Sequence, residues 1–497
     1  MAGAYRNSDT RKSYVEWCEC LTKNRRLIDV FLEEKKTLLD ATQFAALEHF
    51  LHGGSGCISG PGGTGKSFLI RMLVDFMSNT LGLQVGVTAT TGQAAVDLCM
   101  GAETIHRFVG GIIWNKPLKD MIGISRSRRS GALRARWTGV QVLIIDEVGR
   151  LSPRLFEKFA SFAQNVRGCN QPFGGLQLIC SGDWAQIVPI EKDPIPDDQP
   201  TFCFESEVFL DCIHRHEFIL NTPFRQNEDL EYYEFLQQIR VGRVTKECDA
   251  MLRSRLNMEI EPPLDKFACI KLFSTNSMVE GENMERLQEL KTPEHVFRGE
   301  FGVMLIDKFT SPLEIDSLKQ ELEKNLRVPE VCVLKEGAAV VLVYNADVSH
   351  GLANGSQGIV VGFTKNGLPI VDFVHQKDVV ICKQKWYQFP VEDALHPKNP
   401  KDMCCVFYEQ VPLILGFAIT IHRSQGMSLD CAEIDIGRSV FAFGQAYTAL
   451  SRVRTFKGLK LMQYCKTSIK AHPKVIALET RTQENGEQSQ KKIKRDQ

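Results

Sequence analysis

The eight residues Gly60-Pro-Gly-Gly-Thr-Gly-Lys66-Ser67 constrain this chain more than any other stretch. They fit the pattern GxxxxGK[ST], in which glycines let successive backbone N–H groups wrap phosphate oxygens at the start of a helix. Such a loop needs a strand before it and a helix after it. Both are present: Cys57-Ile58-Ser59 reads as strand and Phe68 to Met77 as helix. The spacing predicts a nucleotide site at Gly60, Pro61, Gly62, Gly63, Thr64, Gly65, Lys66 and Ser67. Lys66 is expected to reach the β and γ phosphates of ATP, and Ser67 to ligate Mg²⁺.

A second strand, Val142-Leu-Ile-Ile, delivers the carboxylates Asp146 and Glu147 to its C-terminal end, where α/β proteins place ligands. Asp146 is expected to hold Mg²⁺ and Glu147 to activate the attacking water. Two more polar clusters follow apolar runs: Gly182-Asp-Trp-Ala-Gln186 and Pro223-Phe-Arg225-Gln226. The Gln186 amide can sense a γ phosphate and Arg225 can stabilise charge on the transferring group, while spacing alone leaves a surface loop equally open at each.

Short apolar runs at Val85 to Thr88, Val142 to Ile145 and Leu176 to Ser181 alternate with helical patterns, which implies a parallel sheet covered by helices. With 497 residues the chain exceeds one compact core. Residues 1–37 read as a helical extension, 38–220 as a first motor domain, 221–340 with 411–470 as a second, and 341–410 as a small inserted β-barrel. The last residues, 478–497, are polar and are expected to form a disordered tail.

Sixty basic residues balance sixty acidic ones, so any nucleic-acid surface must be local. The 16 cysteines show no zinc-finger spacing. The N-terminal stretch lacks the apolar core of an export signal, which suggests reduced thiols in an intracellular compartment. The longest apolar stretch, Leu413 to Ile421, falls well short of the ~20 residues of a membrane span, so the chain is expected to be soluble.

From Asp146 to Pro189 the chain is similar to the Pif-type (petite integration frequency) DNA helicases, a RecD-related branch of superfamily one. The shared features are the Asp-Glu pair, the helix Leu151-Ser-Pro-Arg-Leu-Phe156-Glu-Lys-Phe159, the run Pro172-Phe-Gly-Gly-Leu-Gln177-Leu, and Gly182-Asp183-x-x-Gln186. Downstream, Phe273-Ser-Thr275-Asn276, Ala418-Ile-Thr420-Ile-His422-Arg-Ser424-Gln425-Gly426 and Gly444-Gln445-Ala-Tyr447-Thr-Ala-Leu-Ser451-Arg452 resemble later motifs in family order. The resemblance spans residues 38 to 462. It implies two RecA-like motor domains, with a β-barrel-like insertion in the second and a small wedge insertion, about 110–138, in the first. It also implies Gln43 as adenine reader and Arg225 and Arg452 as arginine fingers from the second motor domain. Gly149 stands where the family usually has serine, Arg423 where lysine is common, and Val188 where a proline pair begins. These departures mark a divergent member, viral sources included.

The same resemblance implies single-stranded DNA contacts at Thr90, Thr91, Gly92, His106, Phe108, His422 and Ser424. A core position is the bland alternative for Phe108. Between Trp114 and Trp137 seven cations, Lys116, Lys119, Arg126, Arg128, Arg129, Arg134 and Arg136, face one acid, Asp120. This basic patch suits duplex or tail phosphates or, equally, a solvated loop. The expected activity is ATP-driven unwinding of DNA, with 5′→3′ polarity from the resemblance alone, serving replication, recombination or repair. Expected partners are single-stranded DNA, DNA junctions, and replication or single-strand-binding proteins, with no membrane. A different phosphate-loop enzyme, such as a nucleotide kinase or clamp loader, and a nucleic-acid-binding protein with a decayed motor remain as alternatives. Lys-Lys-Ile-Lys-Arg at 491–495 suggests the nucleus, a host nucleus for a viral chain, against the cytoplasm.

Overall fold

The computed structural model describes residues 6–91, 94–95, 98, 100–110, 114, 116–126, 130–189, 200–260, 269–305, 312–326, 328–344, 346, 352, 356–373, 376–387 and 405–481. The first sheet has six parallel strands: β1 (Gly56–Ser59), β2 (Val85–Ala89), β3 (Glu103–Thr104), β4 (Val142–Asp146), β5 (Gln177–Gly182) and β6 (Glu217–Ile219). Their order is β3-β2-β4-β5-β1-β6. Strand β4 shows why this sheet carries helices on both faces. Successive side chains alternate, so Val142 and Ile144 enter one core with Leu69 and Leu73 of the helix Lys66–Asp75, while Leu143 and Ile145 enter the other with Phe156 and Phe159. The helix supplying the phenylalanines, Pro153–Arg167, starts at Ser152, whose hydroxyl accepts from Leu155 N, and ends at the left-handed Gly168.

The second parallel sheet is built from distant segments: β7 (Ile270–Phe273), then β18 (Ala418–Thr420), β19 (Ala432–Ile436) and β20 (Leu459–Tyr464), in the order β18-β7-β19-β20. Between β7 and β18 lie three antiparallel sheets. One pairs β8 (His295–Arg298) with β10 (Val331–Leu334). One contains β11 (Ala339–Leu342), β12 (Gln357–Phe363), β13 (Pro369–Phe373), β14 (Val379–Val380) and β17 (Leu413–Leu415). The third joins β9 (Glu300–Leu305), β15 (Gln384–Tyr387) and β16 (Cys405–Gln410). The antiparallel part thus begins near His295, ahead of the expected 341, because β8 and β9 have partners only within it.

Helices Leu230–Arg240 and Lys246–Ser254 pack toward the second sheet: Tyr232 OH donates to Leu450 O at 2.8 Å, and Tyr464 OH donates to Asp249 at 2.7 Å. Two expectations need correction. Residues 473–481 are helical, and Glu479 in that helix forms an ion pair with Arg240 at 2.5 Å, so the chain is ordered past 478. The remainder of the expected tail, 482–497 with its basic run, lies outside the described residues. Cys269 and Cys431, which directly precede the paired strands β7 and β19, form a disulfide, against the expectation of free thiols throughout. Among the described residues no helix is long and apolar enough to cross a membrane.

Candidate nucleotide and nucleic-acid site

The glycine loop leaves β1 and turns directly into the helix that begins at Lys66. Gly60, Gly63 and Gly65 adopt positive φ of 141°, 87° and 87°. A Cβ on Gly60 would meet Leu220 O at 2.2 Å, and one on Gly63 would meet the Arg225 Cβ at 2.5 Å, so both conformation and space require glycine. Lys66 Nζ donates to Gly60 O and Pro61 O at 2.7 and 2.8 Å. Burial lowers its pKa, opposed by Asp183, Glu147 and Asp146, so the ammonium sits among three acids. Thr64 is buried and donates to Pro61 O.

Asp146 ends β4, its carboxylate accepting from the Ser181 hydroxyl on neighbouring β5. Burial, and then the adjacent Glu147 carboxylate, push Asp146 up to about 6. Glu147 follows in the left-handed region, φ 56°. Two crowded carboxylates at a strand end beside a lysine are a donor set that fits a hard divalent cation. The glycine cradle fits a phosphate chain.

The remaining predicted groups converge on the loop from other elements. A Cβ on Gly62 would lie 3.3 Å from Arg452 Nη2, 3.4 Å from Arg225 Nη1 and 3.7 Å from Gln186 Nε2. Arg452 belongs to the segment after the helix Gln445–Leu450, next to the second sheet, and is anchored by donating to Thr448 O and the Ser451 hydroxyl, each at 2.8 Å. Arg225 donates to Ser451 O at 3.1 Å, and its backbone N–H donates to Gly63 O. Burial and the neighbouring Arg452 guanidinium lower Arg225 to about 9. Gln186 accepts from Gln425 Nε2 at 3.0 Å, joining the first-sheet turn to the segment after β18. Gln43 is buried in a capping box with Asp40 while its amide donates to Thr64 O at 3.3 Å, which fixes it beside the loop.

A network that spacing did not reveal locks these parts together. Tyr447 accepts from Gly62 N at 3.4 Å and donates to Asp183 Oδ2 at 3.0 Å, while Asp183 pairs with Arg240 at 3.0 Å. Burial raises the Asp183 carboxyl, but Arg240 and Lys66 outweigh it and leave its pKa lowered. Arg240 does carry a sequence signal. It lies four residues after Leu236 and one after Ile239, both on the buried stripe of its helix.

The expected nucleic-acid contacts divide. Phe108 is buried at 4% exposure, edge-on to Trp137 with Arg136 over its face, and a Cβ on Gly86 would touch it at 2.9 Å. It is a core residue here, and the base-stacking expectation is corrected. Thr90 and Ser424 are buried too, their hydroxyls donating to Glu147 O and Ile421 O. Thr91 caps the turn to Ala94, and Gly92 lies outside the described residues. His106 packs edge-on to Trp114 and Phe159, and burial lowers it to about 4. His422 lies near Phe441; burial and then Arg150 lower its pKa. In the basic patch, Arg134 donates to Ser125 O and Arg136 pairs with Glu103, whereas Lys116, Lys119 and Arg126 are exposed. Arg128 and Arg129 lie outside the described residues.

Two family models match the chain: PIF1-like helicase over residues 32–250, and the 2B domain of DNA helicase Pif1 over residues 317–363. Over these residues the chain is similar to the PIF1-like helicase family. The ATP-dependent DNA helicase PIF1 of Danio rerio is 34% identical over 440 residues, covering 88% of this chain and 63% of that protein. The Homo sapiens protein of the same name is 34% identical, covering 90% and 64%. The chain therefore spans just under two thirds of these relatives. The uncharacterized protein 030L of Invertebrate iridescent virus 6 is 28% identical, covering 84% of this chain and 89% of the viral one. Among solved structures, Pif1 helicase from Candida albicans superposes with a TM-score of 0.75 at 27% identity, covering 89% of this chain and 99% of that one. Bacteroides Pif1 bound to single-stranded DNA gives 0.64 at 24% identity, covering 90% and 98%, a likeness of fold. The family match reaches beyond the phosphate loop, and its second model, 317–363, overlaps the start of the segment 341–410 that the sequence pattern read as a barrel.

Proposed function

We propose that this chain is an ATP-driven DNA helicase that moves along single-stranded DNA and separates duplex ahead of it. The observation that carries this reading is the convergence of Arg225, Arg452 and Gln186 on Gly62. Arg452 comes from the second-sheet side, so it contributes charge at the phosphate loop only when the two sheets approach. Nucleotide state and sheet separation are thereby one variable. The family, and relatives named as ATP-dependent DNA helicases, support it.

In this reading Ser67 and Asp146 hold Mg²⁺, which when bound neutralises phosphate charge. Glu147 takes the proton of the attacking water, Gln186 positions that water against the γ phosphate, and Lys66 with the two arginines stabilises charge on the transferring group. The parallel sheets form two motor halves, and cycles of approach and separation advance the DNA. The resemblance supports 5′→3′ polarity; DNA replication, recombination or repair is the setting it supports, with junctions and single-strand-binding proteins as partners. The run at 491–495 supports nuclear action. The test is displacement of a labelled strand from substrates carrying a single-stranded tail at one end or the other, with Lys66→Ala as control. ATP-dependent displacement from 5′-tailed substrate, lost in Lys66→Ala, is expected. Displacement only from 3′-tailed substrate overturns the polarity, and none from either overturns the helicase.

A further inference from the structure

Gln186 and Gln425 are both buried, yet they belong to different sheets: Gln186 lies on the turn after β5 and Gln425 on the turn after β18. Their side-chain amides meet end to end. Gln425 Nε2 donates to Gln186 Oε1 at 3.0 Å, and Gln186 Nε2 donates to Asp183 Oδ2 at 3.3 Å. Among the described residues nothing bonds to Gln425 Oε1. A buried amide with an unpaired oxygen costs stability that an apolar side chain of the same size would not, so the NH₂ end is the one with a task. We propose that Gln425 is a positioning residue for ATP hydrolysis, fixing the Gln186 amide with its N–H side toward the γ phosphate. This rests on Gln186 acting at the γ phosphate, as in the proposed function, and names what orients it.

A glutamine left to itself keeps no such face. Rotation about its terminal bond is broad and roughly twofold, and its two ends differ in kind, an oxygen that only accepts and a nitrogen that only donates. Here each end is matched. Asp183 is a carboxylate paired with Arg240 and accepting from Tyr447, each at 3.0 Å, so it takes donors alone. Turning the Gln186 amide over would set its oxygen against that carboxylate and its NH₂ against the NH₂ of Gln425. The observed orientation brings Gln186 Nε2 to 3.7 Å from where a Cβ on Gly62 would sit, beside the Arg225 and Arg452 guanidinium groups. One of its two N–H bonds is left to donate.

The support is itself firm. Ser424 N donates to Thr420 O at 3.0 Å, the Ser424 hydroxyl donates to Ile421 O at 2.9 Å, and Gly426 follows at φ 87°, so a tight turn carries Gln425. The backbone of Gln186 is held from the same side: a Cβ on Gly444 would lie 2.3 Å from Gln186 O. Both contacts come from segments next to the second sheet. When the sheets part, Gln186 loses its donor and its amide is free to turn, so an oriented water belongs to the closed state alone. Closure then brings Arg452 for charge and Gln425 for orientation.

The experiment is a double-mutant cycle in steady-state ATP hydrolysis by the full chain with single-stranded DNA present: wild type, Gln425→Met, Gln186→Ala and the two combined. Methionine keeps the length of the side chain and removes its donor. Gln425→Glu, nearly identical in shape but without a donor when ionised, is run beside it, and urea melts identify any variant that fails to fold. Gln425→Met is expected to lower kcat about five- to thirtyfold and to leave KM for ATP within about twofold, since orientation and not nucleotide binding is lost. In the Gln186→Ala background the same substitution should change kcat by less than about twofold, because it acts through Gln186. Equal losses in both backgrounds, the mark of a merely structural glutamine, overturn the proposal. Wild-type kcat in Gln425→Met and Gln425→Glu, with turnover lost in Gln186→Ala, overturns it too and leaves the role of Gln186 standing. Wild-type kcat in Gln186→Ala overturns both.

Discussion

Strands β1 and β7 are the corresponding starts of two strand–loop–helix units, one in each parallel sheet, and they end in opposite chemistry. After β1 come six loop residues with three glycines at positive φ, and then the helix beginning at Lys66. After β7 come only Ser274 and Thr275 before the helix begins at Asn276. The first unit folds back far enough for its own N–H groups to surround an anion. The second is a direct corner whose helix lacks even a side-chain cap from Thr275. The same α/β architecture therefore becomes a phosphate cradle or a plain corner according to loop length and left-handed glycines. The second-sheet side contributes Arg452 to the first sheet's cradle, and the second unit forms no cradle of its own.

Tests that remove the connection between the sheets have the largest expected effect. Arg240 and Asp183 are 5% and 3% exposed and pair at 3.0 Å, joining the helix Leu230–Arg240 to the turn after β5. Arg240→Met leaves that acid buried without its partner and should cost about 3–5 kcal/mol in urea unfolding. A loss below about 1 kcal/mol would mean the two halves are held elsewhere. Next is Gly63→Ala, which puts a Cβ 2.5 Å from the Arg225 Cβ at φ 87°. Displacing the loop by that much should lower kcat/KM for ATP about a hundredfold. Wild-type kinetics would show that the cradle tolerates what the geometry forbids.

The third test uses pH. Burial lowers His106 from 6.5 to about 4 in the folded chain, so folding favours the neutral ring. Its contribution is fully present above about 6.5 and is lost as pH falls toward 4, about 2 kcal/mol between roughly pH 7.5 and 5. His106→Phe should flatten that part of the stability profile, measured by urea melts at the two pH values; an unchanged slope would place the ring in water. The smallest effect belongs to the plain corner. Thr275→Ala removes a hydroxyl that caps nothing and should shift stability by under about 0.5 kcal/mol, against ~1 for an ordinary cap. A larger loss would mean the second corner is more constrained than it looks.

These residues also show what could be read in advance. The cradle was legible because its chemistry is local: glycines, lysine and serine at fixed spacing between strand and helix. Asp146 and Glu147 were legible for the same reason. Burial is not local, and so Phe108, Thr90 and Ser424, placed at the DNA by resemblance, have their side chains turned into the protein. Tyr447 stood inside a quoted motif, yet its partners Gly62 and Asp183 lie 385 and 264 residues away in sequence, beyond any periodicity. The start of the antiparallel part was misplaced because only pairing across the insertion distinguishes β8 and β9 from strands of the second sheet.

The most direct measurement is steady-state ATP hydrolysis, with and without single-stranded DNA, by wild type and Arg452→Ala. If the second sheet completes the first sheet's cradle, DNA stimulates the wild type and Arg452→Ala loses about 10³-fold or more of the stimulated rate. An Arg452→Ala chain that hydrolyses ATP as fast as wild type with DNA present would contradict the account, because the cradle would then work without the arginine that links it to the second sheet.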